Sequence, residues 1–317
     1  MDSGVYSEGG GRMSGLAPVV IFCYRRPNHL RRTIEGLMGC EGFEQSPIIV
    51  YCDGAKSEQD RSAVLATREV AKSILGDRAE YYFCDTNQGL ARSIIAGVGD
   101  VVGRYGRVIV VEDDLLVSPF FLRYMNEGLS LYENDAKVAS IHAYLYPTQD
   151  PMPETFFLLG SNCWGWATWA RAWAIFNANG AELANALKQQ QIVRKFNLDG
   201  SYPYFQMLLG QIAGKNNSWA VRWHASAYLA GMLTLYPGRT LVENIGMDGS
   251  GEHCRQSIPT LPLTATPILV ERIPVEEDPI ARLSIIKYMR YLRWHLWRGR
   301  AKRVLSRLWP ISREDNQ

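Results

Sequence analysis

The chain has 317 residues, 47% of them hydrophobic and 21% charged, with a formal net charge of +2. That size and apolar content suffice for one large core or two modest ones, and the near-neutral balance argues against a nucleic-acid partner. Six cysteines (Cys23, Cys40, Cys52, Cys84, Cys163 and Cys254) stand without metal-ligand pairing or dense spacing, so reduced thiols in a cytoplasmic setting are expected, and no apolar run is long enough to span a bilayer.

Residues 1–16 are polar and rich in Gly and Ser, and a disordered leader without secretory character is expected there. Pro18 to Cys23 reads as a buried strand, followed by the turn Tyr24-Arg25-Arg26-Pro27-Asn28. Pro27 suits the first turn of a helix, whose apolar face is Leu30, Ile34, Leu37 and Met38. Ile48 to Cys52 repeats the strand pattern and ends in Asp53-Gly54. A helix over 58–75, a strand over 80–84 and a helix opened by Asn87-Gln88-Gly89-Leu90 and running to Val102 come next. The fourth strand, Val108-Ile109-Val110-Val111, ends in Glu112-Asp113-Asp114. Four strand-helix units in succession predict an α/β fold with a doubly wound, mostly parallel sheet.

Successive side chains of a strand point to opposite faces, so three consecutive acids make sense only where the strand stops. In an open parallel sheet that is the ligand-binding edge. Carboxylates gathered there need a hard cation or hydrogen-bond donors, and Mg²⁺ or Mn²⁺ shared with a phosphate is the common solution. A solvated acidic turn is the plainer alternative. Asp53 stands at an equivalent strand end, where a carboxylate can accept the imide N–H of uracil; a tight turn is again the alternative. No Gly-x-Gly-x-x-Gly follows the first strand and no Gly-Lys-Ser/Thr loop occurs, which excludes dinucleotide and P-loop sites. The Gly-rich, basic loop of a sugar nucleotidyltransferase is absent too.

After Asp114 the character changes. A helix is expected over 119–132 and a strand over 137–142, then a Pro-rich loop over 144–156. Asn162 to Trp169 with Trp173 concentrates four of the nine tryptophans. Indoles stack on sugar faces and also fill cores. The glycine between Trp164 and Trp166 assigns those two to a ligand, and Trp169 and Trp173 to the core of a following helix. Further helices are expected over 181–196, 202–213 and from Trp219 to Leu235. Residues 243–254 form a Gly-rich polar loop too long for a simple turn, with His253 as a possible imidazole ligand at its end.

Taken together, Pro-Val-Val-Ile-Phe-Cys-Tyr-Arg-Arg-Pro-Asn-His-Leu, Asn-Gln-Gly-Leu, Val-Val-Glu-Asp-Asp, Trp-Gly-Trp-Ala-Thr-Trp, Ser-Trp-Ala-Val-Arg-Trp and Asn-Ile-Gly-Met-Asp-Gly-Ser-Gly-Glu-His resemble a bacterial family 2-type glycosyltransferase over residues 17–257. The strand-end acids are similar to those of eukaryotic N-acetylglucosaminyltransferase I. The resemblance implies the GT-A fold, with a nucleotide-sugar-binding half over 17–142 and an acceptor-binding half over 143–257. It implies a UDP-sugar donor, Mn²⁺ or Mg²⁺, and a saccharide or lipid-linked acceptor in surface polysaccharide assembly. Asp53 would contact the base, Asp113 the ribose, and Asp114 with His253 the metal. Tyr24, Arg25, Asn87, Arg92 and Glu112 complete the expected donor site; Trp164, Trp166, Trp219 and Arg222 form the expected acceptor site.

Relatives often carry Asp where this chain has Asn217, and an inverting transferase needs a carboxylate to deprotonate the acceptor, which asparagine cannot do. Asp248, Glu252, Glu243 and Asp199 are the alternatives for the base. A sugar-binding or scaffold protein with weak or no activity is the alternative function. Beyond a linker at 258–280, residues 282–307 hold nine Lys or Arg and no acid. Ile285, Met289, Leu292 and Leu296 recur at helical spacing, with Trp294, Trp297 and Trp309 added. A basic amphipathic helix over 281–309, followed by a tail over 310–317, is expected, detachable from the catalytic body and docking on the anionic inner face of the membrane. A helix packed on the catalytic body is the alternative.

Overall fold

A computed structural model of the chain describes residues 15–248 and 261–308. Its centre is an eight-stranded sheet. The first four strands are β1 (Val19–Cys23), β2 (Ile48–Cys52), β3 (Ala79–Phe83) and β4 (Arg107–Glu112), with helices α1 (Pro27–Met38), α2 (Glu58–Leu75) and α3 (Leu90–Tyr105) between them. β1 and β4 are apolar on both faces because helices cover both, as parallel sheets require. Pro27 opens α1 where its missing N–H costs nothing. These elements fall where the sequence pattern places them.

The second half adds β5 (Leu115–Val117), α4 (Phe121–Leu131), β6 (Val138–His142), β7 (Thr155–Leu159), β8 (Trp166–Trp169), the short α5 (Ala170–Trp173), α6 (Gly180–Gln189), α7 (Val193–Phe196), α8 (Tyr204–Ile212), α9 (Trp219–Leu229), β9 (Leu233–Pro237) and β10 (Val242–Asn244). The large sheet has the order β3-β2-β1-β4-β8-β6-β9-β7, in which only β8 and β7 run against the rest. The fold is therefore α/β with a mostly parallel sheet. One core cluster runs from Ala17 to Ile268 through both halves, so the two expected halves share one sheet and one core.

Several expectations need correction. The helix expected to run to Leu235 ends at Leu229, and Leu233 to Pro237 crosses the core as β9, buried throughout. The single helix over 181–196 is broken where Gln191 takes φ 57°, giving α6 and α7. Trp169 lies on β8 rather than in a helix, with its Nε1 donating to the Leu129 carbonyl at 3.1 Å. The expected linker runs bonded along the body: the Ile273 N–H donates to Tyr132 Oη at 3.0 Å, and Thr264 to the Thr240 carbonyl at 2.9 Å.

The last helix, α10 (Pro279–Leu308), starts where Asp278 Oδ1 accepts the N–H groups of Ile280 and Ala281. Where a detachable helix is expected from the sequence, its first turns are packed on the body. Ala281, Ile285, Tyr288 and Met289 pack against Leu145, Phe156, Leu158 and Tyr236 as a second apolar cluster. Arg282 pairs with Asp199 at 2.6 Å and Lys287 with Asp150 at 3.1 Å. Among the described residues no helix is long and apolar enough to cross a membrane.

Candidate active site

β1 and β4 are neighbours at the point where the strand order reverses, the position at which open α/β sheets bind ligands. The end of β1 supplies Tyr24, Arg25 and Arg26; the end of β4 supplies Glu112, Asp113 and Asp114. The Asp113 N–H continues the ladder by donating to the Phe22 carbonyl at 2.9 Å, and its own carbonyl accepts Thr33 Oγ1 at 2.8 Å. With its main chain fixed, the Asp113 carboxylate accepts the Tyr24 N–H through Oδ2 at 3.1 Å. Arg26 Nη2 donates to Asp113 Oδ1 and to Asp114 Oδ2, both at 2.9 Å. Both aspartates are buried. Burial, with Asp114 and Asp113 adding repulsion, pushes the Glu112 carboxyl up to about 8. Burial pushes Asp113 up to about 6 against the pull of Arg26. The guanidinium is thus the compensating charge that three adjacent acids require.

A second strand end holds the loop before α3. Asp53 Oδ1 accepts the N–H groups of Gly54 and Gln88, and Oδ2 that of Gly89, each at 2.8 Å. Asn87 Nδ2 donates back to the Gly54 carbonyl at 2.8 Å. A Cβ on Gly54 would lie 2.4 Å from the Thr86 carbonyl carbon, so this clasp needs glycine. A carboxylate offers about four acceptor positions, and three of Asp53's are taken by this loop. Its observed work is to shape the loop. Tyr24 Oη accepts the Lys56 N–H at 2.9 Å, Arg25 pairs with Asp60, and Arg92 is exposed in the first turn of α3.

The chain after β10 is brought to the acids by a small antiparallel pair, β5 with β10, in which Asn244 faces Leu115. The Ile245 N–H then donates to the Asp114 carbonyl at 2.8 Å. A Cβ on Gly246 would fall 2.2 Å from Asp114 Oδ2 and 2.6 Å from Arg26 Nη1. Only glycine leaves that side of the carboxylate open. This cradle and its hard oxygen donors fit a divalent cation at Asp114. Among the described residues no three His, Cys, Asp or Glu side chains converge on a metal position, so further ligands would come from the donor phosphates. Asp248 is exposed and pairs with His29 Nε2 at 3.2 Å. Glu252, His253 and most of the Gly-rich loop lie outside the described residues.

The expected acceptor residues separate. Trp164 lies ahead of β8, separated from Trp166 by Gly165, which takes φ 62°. Trp164 is half-buried, edge-on to Tyr144 at 4.8 Å, and lines a cavity. Trp166 is fully buried, stacked on Trp219 at 5.3 Å and close to Trp173 and Trp223. Trp166 and Trp219 are therefore core residues. Arg222 is buried and donates to the carbonyls of Ser218 and Ala178, a structural use. Asn217 is exposed, with Nδ2 3.9 Å from where a Gly89 Cβ would be, so α9 begins beside the Asp53 clasp. Glu243 is half-buried on β10. Asp199 is far along the chain from this edge and bound to Arg282, which holds its carboxyl below the usual range.

Sequence reasoning missed Arg26 and Gly246. Arg25 and Arg26 are chemically alike, and only the start of α1 at Pro27 marks Arg26 as the residue turned toward β4. Gly246 is one of several glycines in its loop.

No protein-family model matches the chain, and no curated protein matches it in sequence. Its fold is similar to solved structures that include GalNAc-T7 with UDP, GalNAc and Mn²⁺ (TM-score 0.35, 10% identity, covering 54% of this chain and 38% of that one). They also include glucosyl-3-phosphoglycerate synthase from Mycobacterium tuberculosis in complex with Mn²⁺, UDP and glucosyl-3-phosphoglycerate (TM-score 0.35, 10% identity, 58% and 72%). A third is mannose-1-phosphate geranyltransferase from Thermus thermophilus (TM-score 0.35, 12% identity, 73% and 76%). At these identities and TM-scores the likeness assigns no residue role, and the roles proposed below rest on the geometry above.

Proposed function

We propose that this chain is a GT-A-type glycosyltransferase that moves a sugar from a nucleotide-sugar, with UDP-sugar as the expected donor, to a saccharide or lipid-linked acceptor. The observation that carries the reading is the meeting of Asp113, Asp114 and Arg26 at the β1–β4 switch point, beside the loop clasped by Asp53. Asp114 would hold Mn²⁺ or Mg²⁺ together with donor phosphates, and Asp113 would face the ribose. When bound, the cation neutralises charge on the departing nucleoside diphosphate. The chain adds its own cation: Arg26 Nη1 is buried without a hydrogen-bond partner among the described residues, and a phosphate oxygen would satisfy it. The clasped N–H groups of Gln88 and Gly89 hold the loop that would border the donor, and Asn217 stands at its junction with the acceptor side.

For inversion, the acceptor proton goes to a carboxylate. Asp248 is the proposed base among the described residues, with Glu252 as the other candidate; Asn217 lacks the chemistry, and the pairing of Asp199 with Arg282 removes it. Calorimetry of UDP binding tests the assignment. Affinity should rise at least tenfold with Mn²⁺ in the wild type, and that gain should vanish in Asp114→Ala. Equal affinity with and without the metal sinks the metal-dependent reading.

Peripheral attachment at the inner membrane face is proposed on a narrower basis than a detachable tail. On α10, Ile280, Leu283, Tyr291 and Trp294 are 68, 51, 49 and 50% exposed, beside exposed Lys287, Arg290 and Arg293. A packed helix can present that stripe to anionic headgroups. The full chain should sediment with anionic liposomes at low salt and be released as salt rises, and Leu283→Asp with Trp294→Asp should abolish it. Failure to sediment at low salt removes the membrane from the proposal.

A further inference from the structure

Between the segment 161–164 ahead of β8 and the helices α8, α9 and α10 lies a cavity of about 200 Å³ that the strand-end acids do not explain. Its walls are aromatic: Tyr146, Trp164, Tyr204 and Tyr288 line it. Pockets for drug-sized ligands are about 300–1,000 Å³, so this one has room for a small ring and not for an extended chain. Ser161 and Tyr288, both lining residues, are 4 and 7% exposed, and their hydroxyl oxygens have no hydrogen-bond partner among the described residues. A buried hydroxyl without a partner is unfavourable, and a ligand that supplies one removes the penalty. The Tyr146 hydroxyl already accepts Asn162 Nδ2 at 2.6 Å, which gives the apolar walls a polar edge.

The cavity is adjacent to the donor edge through the start of α9, and Cys163, just ahead of Trp164, lines it. Ser218 lines it too, directly after Asn217, which stands beside Gly89. A ligand held here would sit next to the acids without displacing them.

We propose that this cavity is the acceptor subsite and takes one pyranose ring, its C–H face on the aromatic walls and its hydroxyls paired with Ser161 and Tyr288. The assignment rests on the glycosyltransferase reading above. An isoprenoid would leave both hydroxyls unpaired, and a small polar anion would leave the aromatic faces unused. A pyranose has both kinds of surface. Because Tyr288 and Met289 come from α10, the C-terminal helix completes the subsite.

The test uses the full chain without nucleotide and saturation-transfer NMR with the methyl pyranosides of glucose, galactose, mannose and N-acetylglucosamine. At least one should receive saturation from the wild-type protein. Ala220→Trp, which fills the cavity from α9, should abolish the transfer, and Tyr288→Phe, which removes one hydroxyl, should weaken binding about fivefold to tenfold. Circular dichroism confirms that both variants fold. No transfer to any of the four, or transfer that survives Ala220→Trp, overturns the subsite. Farnesyl phosphate binding that Ala220→Trp abolishes, with no pyranoside binding, also overturns it. The parallel UDP titration separates the two readings: UDP affinity without pyranoside binding removes only the subsite. Pyranoside binding without UDP affinity removes the glycosyltransferase reading and leaves a sugar pocket.

Discussion

The two sides of the candidate site are built by opposite means. On the donor side, charges and main-chain N–H groups meet at the ends of adjacent parallel strands: Tyr24 and Arg26 after β1, Asp53 after β2, and Asp113 and Asp114 after β4. On the acceptor side, neutral aromatic groups converge from Tyr146, Trp164, Tyr204 and Tyr288, which are far apart in the chain. The first arrangement depends on local turns hung from one rigid sheet edge. The second depends on helices packing correctly over long sequence distances. Damage should therefore be local and electrostatic on the donor side, and global on the acceptor side.

The largest expected effect follows from α10. Ile285, Tyr288 and Met289 are all buried, and burying one such side chain contributes about 1.5–3 kcal/mol. Their joint loss is about 6 kcal/mol, against a total stability of about 5–15 kcal/mol for a typical domain. A chain ending at Asp278 should lose its near-UV dichroism and its cooperative thermal transition. If it melts cooperatively near the wild-type temperature, α10 is an appendage after all, and the contrast between the two sides fails.

That outcome also bears on what the sequence could reveal. The parallel strands are legible because β-branched runs such as Val108 to Val111 stop at polar residues, and Asp53, Asp113 and Asp114 become candidates from that position alone. β9 is not legible, since Leu233 to Pro237 continues the apolar run of α9, and a short apolar segment fits helix or strand equally well. The tryptophan-rich segment misled through its glycine: alternation would put Trp164 and Trp166, two residues apart, on one face, but Gly165 takes φ 62° and breaks the extended run, so one lines the cavity and the other enters the core. Tyr146, Tyr204 and Tyr288 gave no signal, because nothing in their spacing shows that the fold joins them.

A smaller, local effect should follow on the donor side. Arg26→Ala leaves Asp113 and Asp114 without the guanidinium that bridges them. Breaking a buried pair by removing one partner costs about 3–5 kcal/mol, and Asp114 and Arg26 keep some solvent contact, so about 3 kcal/mol is expected. A divalent cation can replace the lost charge. Thermal melts with and without Mn²⁺ should show a larger metal-induced stabilisation in Arg26→Ala than in the wild type. Equal stabilisation would mean that Arg26 and the cation do not act on the same carboxylates.

The smallest effect is a pH dependence that originates on the acceptor side. His142 is fully buried at the end of β6, edge-on to Tyr236 at 4.9 Å and near Tyr144, and neither ring nitrogen has a hydrogen-bond partner among the described residues. Burial lowers its pKa to about 3, and that of His224 to about 4. In the unfolded chain both titrate near 6.5. Below that value the unfolded state binds more protons, so stability falls with falling pH, by up to about 1.4 kcal/mol per pH unit for each histidine. The loss continues until the folded pKa is reached. Glu112 and Asp113 work in the opposite sense, because their raised values make the folded state the better proton binder between about pH 4 and their own pKa values. The two contributions oppose each other in the wild type, so the informative quantity is the difference from His142→Phe, which keeps a ring against Tyr236 and removes one titration. That variant should lose about 1.6 kcal/mol less than the wild type between pH 6.5 and 5 in urea melts. Parallel curves for the two proteins would show that His142 binds its proton in the folded state as readily as in the unfolded chain, and that burial does not hold it neutral.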